Sequence, residues 1–505
     1  MIKYLYLVKS EDHWFDVAKH LYQEKIAKPV LWIGDDSHYN KASELFKDNI
    51  LKRLDFVFYP YKIRDISYNG EHSDFLFSTN YLIAKDRCLK MLDRLDLNAS
   101  FTRIDRETYF HSLTLYLLKS LYNSKPDVLI AAEAPHNHAN YLIYEISKFL
   151  DIPTYFFKNW NLGPLLYLQN MKSGKIISTN ISDLNNTYEE VEDDIKKYIR
   201  NLKKNSDNYE LSYMIKQRKE SKFIYRIINF FKLEKKISST FLSVIKDIRF
   251  NTLNLIYRKY DPINPLFFNF ISRTIYKFIR RKNLNLASKK AETKVDLNKK
   301  YIYYALHYEP ERSTNPDGNE FHDQFIAICE LRRIIPQNYK IYVKEHPWQL
   351  FSQNPRGVYG RSPLFYNLIK NIEGVEIAKT STNTIELIKN SEFVSTITGT
   401  VAIEAAILGK KALVFGKTYL DDCPNIFYWK KDISFEYIKN TKLYSEIDIE
   451  TFLLKKIRNL TIPAFQNFSQ RSYFKKYNNN QFDKIQTENI KSLMTDFFKT
   501  KKYQK

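Results

Sequence analysis

The chain has 505 residues, enough for two or three domains, and its 44% hydrophobic content is that of a protein with a folded core. Its three cysteines, Cys88, Cys329 and Cys423, stand far apart without CxxC or Cys/His spacing, which excludes a structural zinc site of that kind and fits a reducing compartment. The net charge of +22 is not spread evenly: residues 196–300 hold 27 Lys/Arg against 8 Asp/Glu, so most of the excess belongs to one segment.

Residues 1–165 alternate strand and helix. The opening MIKYLYLVKSEDHW has too short an apolar core for a signal peptide and reads as a first buried strand, Lys3–Val8. Further strands are predicted at Pro29–Ile33, Phe56–Tyr59, Asp127–Ala131 and Thr154–Phe157. Helices are predicted over His13–Lys25, Tyr39–Asn49, Ala84–Arg94, Arg106–Tyr122 and His138–Leu150. Short continuous apolar runs separated by helical periodicity are the pattern of a parallel sheet covered on both faces.

An acidic stretch, DLNNTYEEVEDD over residues 183–194, leads into the basic segment. There KFIYRIINFFKLEKKI and FFNFISRTIYKFIRRK set large apolar residues at helical spacing between cations. Two readings stand side by side: a helical linker with a solvated basic face, and an amphipathic surface that sits on anionic lipid. No nucleic-acid-binding motif accompanies the charge, so nucleic acid is not expected as a partner. No apolar run reaches the ~18 residues a bilayer span requires. The expected location is the cytoplasm, peripheral on the inner face of the cell membrane.

A second alternating region follows. Strands are predicted at Tyr301–Leu306, Lys340–Lys344, Val375–Ile377, Phe393–Ser395 and Ala412–Phe415, with helices at Asp323–Arg333, Asn383–Asn390 and Val401–Leu408. Residues 446–505 read as helices and a polar tail frayed at its end. The expected organisation is a Rossmann-like domain over 1–165, a basic helical insertion over 166–300, a second Rossmann-like domain over 301–445 and C-terminal helices over 446–505.

Four polar clusters come directly after predicted strands, where ligands of parallel α/β sheets bind. They are Glu133-Ala134-Pro135-His136, the run from His307 to Asn319, Lys344-Glu345-His346-Pro347, and the turn Thr396–Thr400. In the last, Gly399 permits close backbone approach, the hydroxyls donate, and the first helical N–H groups carry partial positive charge, which together suit an anion. Plainer readings exist for each. Glu133 could cap a helix, His346-Pro347 could end a strand, His307 and Glu309 could form an ion pair at a loop base, and the turn could only cap its helix. The doublets Asp35-Asp36 and Asp421-Asp422 are too isolated to indicate a metal.

LHYEPERSTNPDG, YVKEHP and STITGTVAIEAAILGKKALVFG, within residues 300–420, resemble the capsule and surface-polysaccharide glycosyltransferases of bacteria, a group that includes capsular Kdo transferases and is similar in layout to bacterial sialyl- and polysialyltransferases. The resemblance implies a GT-B fold: two Rossmann-like parallel-sheet domains facing a cleft, the C-terminal one holding the donor nucleotide. It implies that His346 and Pro347 touch the donor phosphate and ribose, that Ser395, Thr396, Thr398 and Thr400 bind the phosphate beside Gly399, and that Glu404 meets the ribose or base. His307, Glu309 and Lys344 are counted with that donor site. Glu133, with His136 as helper, is the candidate general base; the acidic-acidic-glycine base motif of the sialyltransferases occurs here only in reverse, as Gly34-Asp35-Asp36.

The function so implied is metal-independent transfer of a sugar, such as a CMP-activated ulosonic acid, from a nucleotide donor to a capsule or lipid-linked glycan. No cofactor is expected beyond the nucleotide-sugar co-substrate. The alternatives are a nucleotide-sugar epimerase or hydrolase, a teichoic-acid-type polyol-phosphate transferase, and a non-catalytic membrane-docked assembly factor.

Overall fold

The computed structural model describes residues 1–47, 49–52, 70, 72–95, 102–160, 162–179, 185–204, 267–351, 356–471 and 474–504. It forms two compact units, one drawn from Met1–Leu92, Phe101–Tyr198 and Leu454–Lys505, the other from Asp93–Ser100 and Ile199–Leu453. Each is an α/β unit built on a parallel-rich sheet, the class the apolar runs predict.

In the first unit, β1 (Ile2–Leu7), β2 (Ala27–Gly34), β3 (Asn49–Lys52), β4 (Val128–Ala131) and β5 (Thr154–Trp160) pair in parallel in the order β3-β2-β1-β4-β5. The order switches direction between β1 and β4, and sheets of this kind bind ligands outside the carboxyl ends of the strands at such a point. Two antiparallel additions extend the far edge: β6 (Leu165–Asn170) beside β5, then β14 (Ile462–Pro463) beside β6. Helix Asp12–Gln23 buries Trp14, Val17, Ala18 and Leu21 against the sheet. Trp32, Phe46 and Phe157 share that core with Phe497 and Phe498 of the C-terminal helix Asn480–Lys499.

The second sheet contains β7 (Glu292–Thr293), β8 (Tyr301–Ala305), β9 (Lys340–Lys344), β10 (Val375–Ala378), β11 (Phe393–Thr396), β12 (Lys411–Val414) and β13 (Ile426–Tyr428). All pairs are parallel, in the order β7-β10-β9-β8-β11-β12-β13. Here the switch point lies between β8 and β11. Ile302, Tyr304, Ile341, Val343, Phe393 and Leu413 form the buried centre, as expected of strands covered on both faces.

Several expectations change. The predicted insertion over 166–300 is not separate from the sheets: β6 lies inside it, and helix Phe267–Ala291 sends Leu284 and Ala291 into the second core. The helix predicted to run to Asn49 ends at Phe46, because Lys47 turns left-handed and Asn49 begins the pairing of β3 with Leu31. The C-terminus is docked rather than frayed: Tyr503 is buried and Tyr155 Oη donates to the Lys502 carbonyl at 3.2 Å. The predicted strand Phe56–Tyr59 and the stretch KFIYRIINFFKLEKKI lie outside the described residues.

Candidate functional site

The loops after β8 and β11 meet at the switch point of the second sheet. His307 is buried at the end of β8, and its Nε2 accepts the Thr398 N–H at 3.0 Å and lies 3.1 Å from Thr396 Oγ1. That acceptor role leaves the ring proton on Nδ1, which faces Ser313 Oγ at 3.2 Å, and Ser313 donates on to Glu311 at 2.9 Å. Burial, with His346 and Arg361 nearby, lowers the His307 pKa to about 3, so the ring is neutral. Gln324 clasps its backbone in both directions, at 2.7 Å and 3.2 Å. His307 therefore holds the shape of the β11 turn. Gly399 fits that clamp closely, since a Cβ there would fall 2.7 Å from Thr396 Oγ1.

Most of the hydroxyls expected to hold phosphate are engaged by the fold. Ser395 Oγ donates to the Leu413 carbonyl at 3.2 Å, Thr396 Oγ1 to that of Ala305 at 3.2 Å, and Thr398 Oγ1 to that of Ser313 at 2.7 Å. Thr400 Oγ1 faces Glu404 at 3.3 Å. What the turn leaves open is its backbone: the N–H groups of Gly399, Thr400 and Val401 have no acceptor among the described residues. Three successive N–H groups without an acceptor at a strand-to-helix turn can cradle an anion.

Beside the cradle, helix Val401–Ile407 presents Glu404. Desolvation raises its pKa to about 7 against the hydrogen bond from Thr400, which lowers it. A carboxyl poised near neutrality can donate or accept a hydrogen bond toward a ligand. Because the folded value lies above the ordinary 4.5, native stability relative to a neutral side chain is fully kept below pH 4.5 and lost as pH rises through about 7. Glu404→Gln should therefore be more stable than the parent above pH 7 by about 1–3 kcal/mol and equal to it in acid. Urea titrations across that range check it, and a difference that does not vary with pH would contradict a desolvated carboxyl.

The loop after β9 supplies the other wall. His346 caps the short helix Pro347–Leu350, its Nδ1 accepting the Trp348 N–H at 3.1 Å. The ring proton is thereby on Nε2, where the described residues provide no partner. Burial lowers its pKa to about 4 despite the opposing pull of Glu345, so it is a neutral donor near pH 7. Pro347 starts that helix at N1 and is exposed. Lys344 turns away from this wall: its ammonium bonds the Thr382 carbonyl and, at 2.7 Å, Thr384 Oγ1, and burial lowers its pKa to about 8.

Two of these loops, those after β8 and β9, are fastened by Arg361, which the sequence reading did not single out. Its guanidinium donates to Glu345 Oε2 at 2.9 Å, Glu309 Oε2 at 2.8 Å and the His307 carbonyl at 2.9 Å. Burial alone would lower its pKa, but Glu345 and Glu309 outweigh burial and hold it fully charged. Tyr366 Oη adds a 2.9 Å bond to Glu345, and Gln349 bridges the Glu309 backbone to the Gly357 carbonyl. Glu309 is thus a structural partner in the network. Gly360 completes the fit, since a Cβ would lie 2.0 Å from the Glu309 carbonyl oxygen. No motif marks Arg361; only its burial among carboxylates does.

In the first unit, Glu133 follows β4 at the other switch point and is ion-paired with Lys9, which follows β1. The strand-end rule that selects Glu133 would also have selected Lys9. His136 is exposed and precedes Asn137, whose side chain caps helix His138–Phe149 through the Asn140 N–H at 2.9 Å. Among the described residues no group of three or more His, Cys, Asp and Glu is arranged to hold a metal ion.

No protein-family model matches the sequence, and no curated protein matches it. Solved structures show partial likeness. The UDP-GlcNAc 2-epimerase of Methanocaldococcus jannaschii is 11% identical, aligned over 90% of this chain and 98% of its own, with a TM-score of 0.23. KpsC, the β-Kdo 2,4-transferase of Thermosulfurimonas dismutans, is 11% identical over 65% and 87%, with a TM-score of 0.25. The wall teichoic acid polymerase TagF is 16% identical over 44% and 48%, with a TM-score of 0.17. Scores this low assign nothing to this chain; its two-sheet architecture rests on its own strand order.

Proposed function

We propose that this protein is a glycosyltransferase that moves a sugar from a nucleotide donor to a growing capsule or lipid-linked surface glycan. The observation that carries the proposal is the row of N–H groups at Gly399, Thr400 and Val401 at a sheet switch point, with the Nε2–H of His346 in the loop after the neighbouring strand β9, none of which has an acceptor among the described residues. Cleaving a nucleotide sugar leaves negative charge on a phosphate, and fixed donors aimed at that charge lower the barrier. The cradle and His346 are such donors, and none needs a metal to act. Glu404, near neutral and half-buried, is suited to a ribose or base hydroxyl or amide. Among donors, the resemblance of the KEHP and TGT segments to capsular transferases favours CMP-activated ulosonic acids.

The test is calorimetric titration of the full chain with CMP, CDP, UDP and GDP. One nucleotide should bind, and His346→Ala should weaken it about 10–100-fold, the worth of a hydrogen bond to a charged group. His346→Asn retains a helix-capping side chain but cannot reach as far, so it should fold like the parent and still bind weakly. Unchanged affinity in both variants would remove His346 from the site. No binding of any nucleotide by the parent would sink the proposal.

A further inference from the structure

We propose that the outward face of helix Phe267–Ala291 docks the protein on an anionic lipid surface. The inference goes beyond the transferase reading and does not depend on it. Residues at i, i+4, i+7 and i+11 share one helix face, and in this helix those positions are Ile275, Ile279, Lys282 and Leu286. Ile275, Phe278, Ile279 and Leu286 are 56%, 72%, 53% and 57% exposed. Four large apolar side chains in one stripe form a patch rather than scattered exceptions.

The opposite face explains why the stripe is held outward. Leu284, Ser288 and Ala291 are fully buried, Leu284 and Ala291 in a core shared with Tyr366 and Ile369. Arg280 Nε donates to the Val358 carbonyl at 2.6 Å, and Lys277 lies 5.8 Å from the centre of the Tyr359 ring. The helix is bolted to the segment that carries Arg361, so the exposed stripe belongs to the same unit as the anion cradle.

Charge selects the occupant. The 25 residues contain no acidic side chain, and exposed Lys282, Lys289 and Lys290 punctuate the apolar stripe. A second copy would set lysine against lysine with no carboxylate on either helix to answer it. Nucleic acid would satisfy the lysines but offer nothing to Phe278 and the three aliphatic residues. A membrane with anionic headgroups satisfies both: the acyl boundary takes the apolar stripe and the headgroups take the ammonium groups. No described helix is long and apolar enough to cross a bilayer, so this one would lie on the surface.

The test is flotation of the full chain with phosphatidylcholine vesicles and with vesicles of equal parts phosphatidylcholine and phosphatidylglycerol, at low and high salt. The parent should float only with the anionic vesicles, and salt should weaken recovery. Phe278→Ser/Ile279→Ser should lower partitioning about tenfold or more, since each side chain loses its apolar burial. Lys282→Glu/Lys289→Glu/Lys290→Glu should lower it about a hundredfold, at roughly fivefold per lost lysine. All five positions are exposed, so both variants should keep the parent's thermal transition. Equal recovery with both lipids, or parental binding by both variants, would overturn the proposal. So would a parent dimer that the Phe278→Ser/Ile279→Ser variant converts to monomer without any lipid binding.

Discussion

Arg361→Met should destabilise the second unit by about 3–5 kcal/mol, the cost of removing one partner from a buried ion pair. Arg361 stands between two carboxylates, and its loss leaves buried Glu345 and half-buried Glu309 without their cation. It also removes one of the two donors to the His307 carbonyl, leaving that of Gln324. The damage should be local, with amide exchange accelerating first in β8 and β9, whose ends the guanidinium ties together. Arg361→Lys keeps the charge but cannot serve three acceptors with a planar fork, so it should recover only part of the loss. The defect should shrink in acid, where Glu309, whose pKa burial already raises against the pull of Arg361, takes up a proton. A loss below about 1 kcal/mol, the range of exposed pairs, would show that the network is not the fastener the geometry describes.

With Glu133 proposed as the general base of the transferase reading, Glu133→Gln should lower turnover by ~10²–10⁴, the usual cost of losing a general base, while nucleotide affinity stays at the parental level. The amide keeps the shape of the carboxylate and its place after β4, but cannot accept the acceptor hydroxyl's proton. Lys9 is part of this expectation: it is paired with Glu133, so in the proposed reaction it would share the carboxylate with the acceptor hydroxyl. Single-turnover measurement with the donor identified by the nucleotide panel separates the chemical step from binding. Near-parental turnover with intact donor binding would move the base to another residue. Because the proposed donor site lies in the other unit, failure here would leave the nucleotide-binding proposal standing.

The strand-end clusters were legible in sequence because each follows a short apolar run, and strand termination is a local event. β8 and β11 ended within one residue of their expected positions, which put His307 and the Thr396–Thr400 turn at the correct ends of the correct strands. Their roles were less legible. A threonine after a strand reads as a hydroxyl donor, yet Thr398 gives its hydroxyl to Ser313 and its N–H to His307, partners 85 and 91 positions away. Lys344 is counted with the donor site from its place beside His346, but successive side chains alternate across a sheet, and its ammonium is taken up by the turn containing Thr382 and Thr384.

Local pattern thus sufficed for the two alternating regions, the continuous apolar strands, the position of the turn after β11 and the basic, apolar character of helix Phe267–Ala291. These follow from period and composition over a handful of neighbours. Only tertiary packing decided that Arg361 would meet Glu309 52 positions away, that Lys9 would meet Glu133, that β14 would return to the edge of the first sheet, and which face of the basic helix would remain in solvent. Each of these depends on burial, which turns an ordinary charge or hydroxyl into a group that must find a partner. The identity of that partner depends on strand order rather than on sequence distance.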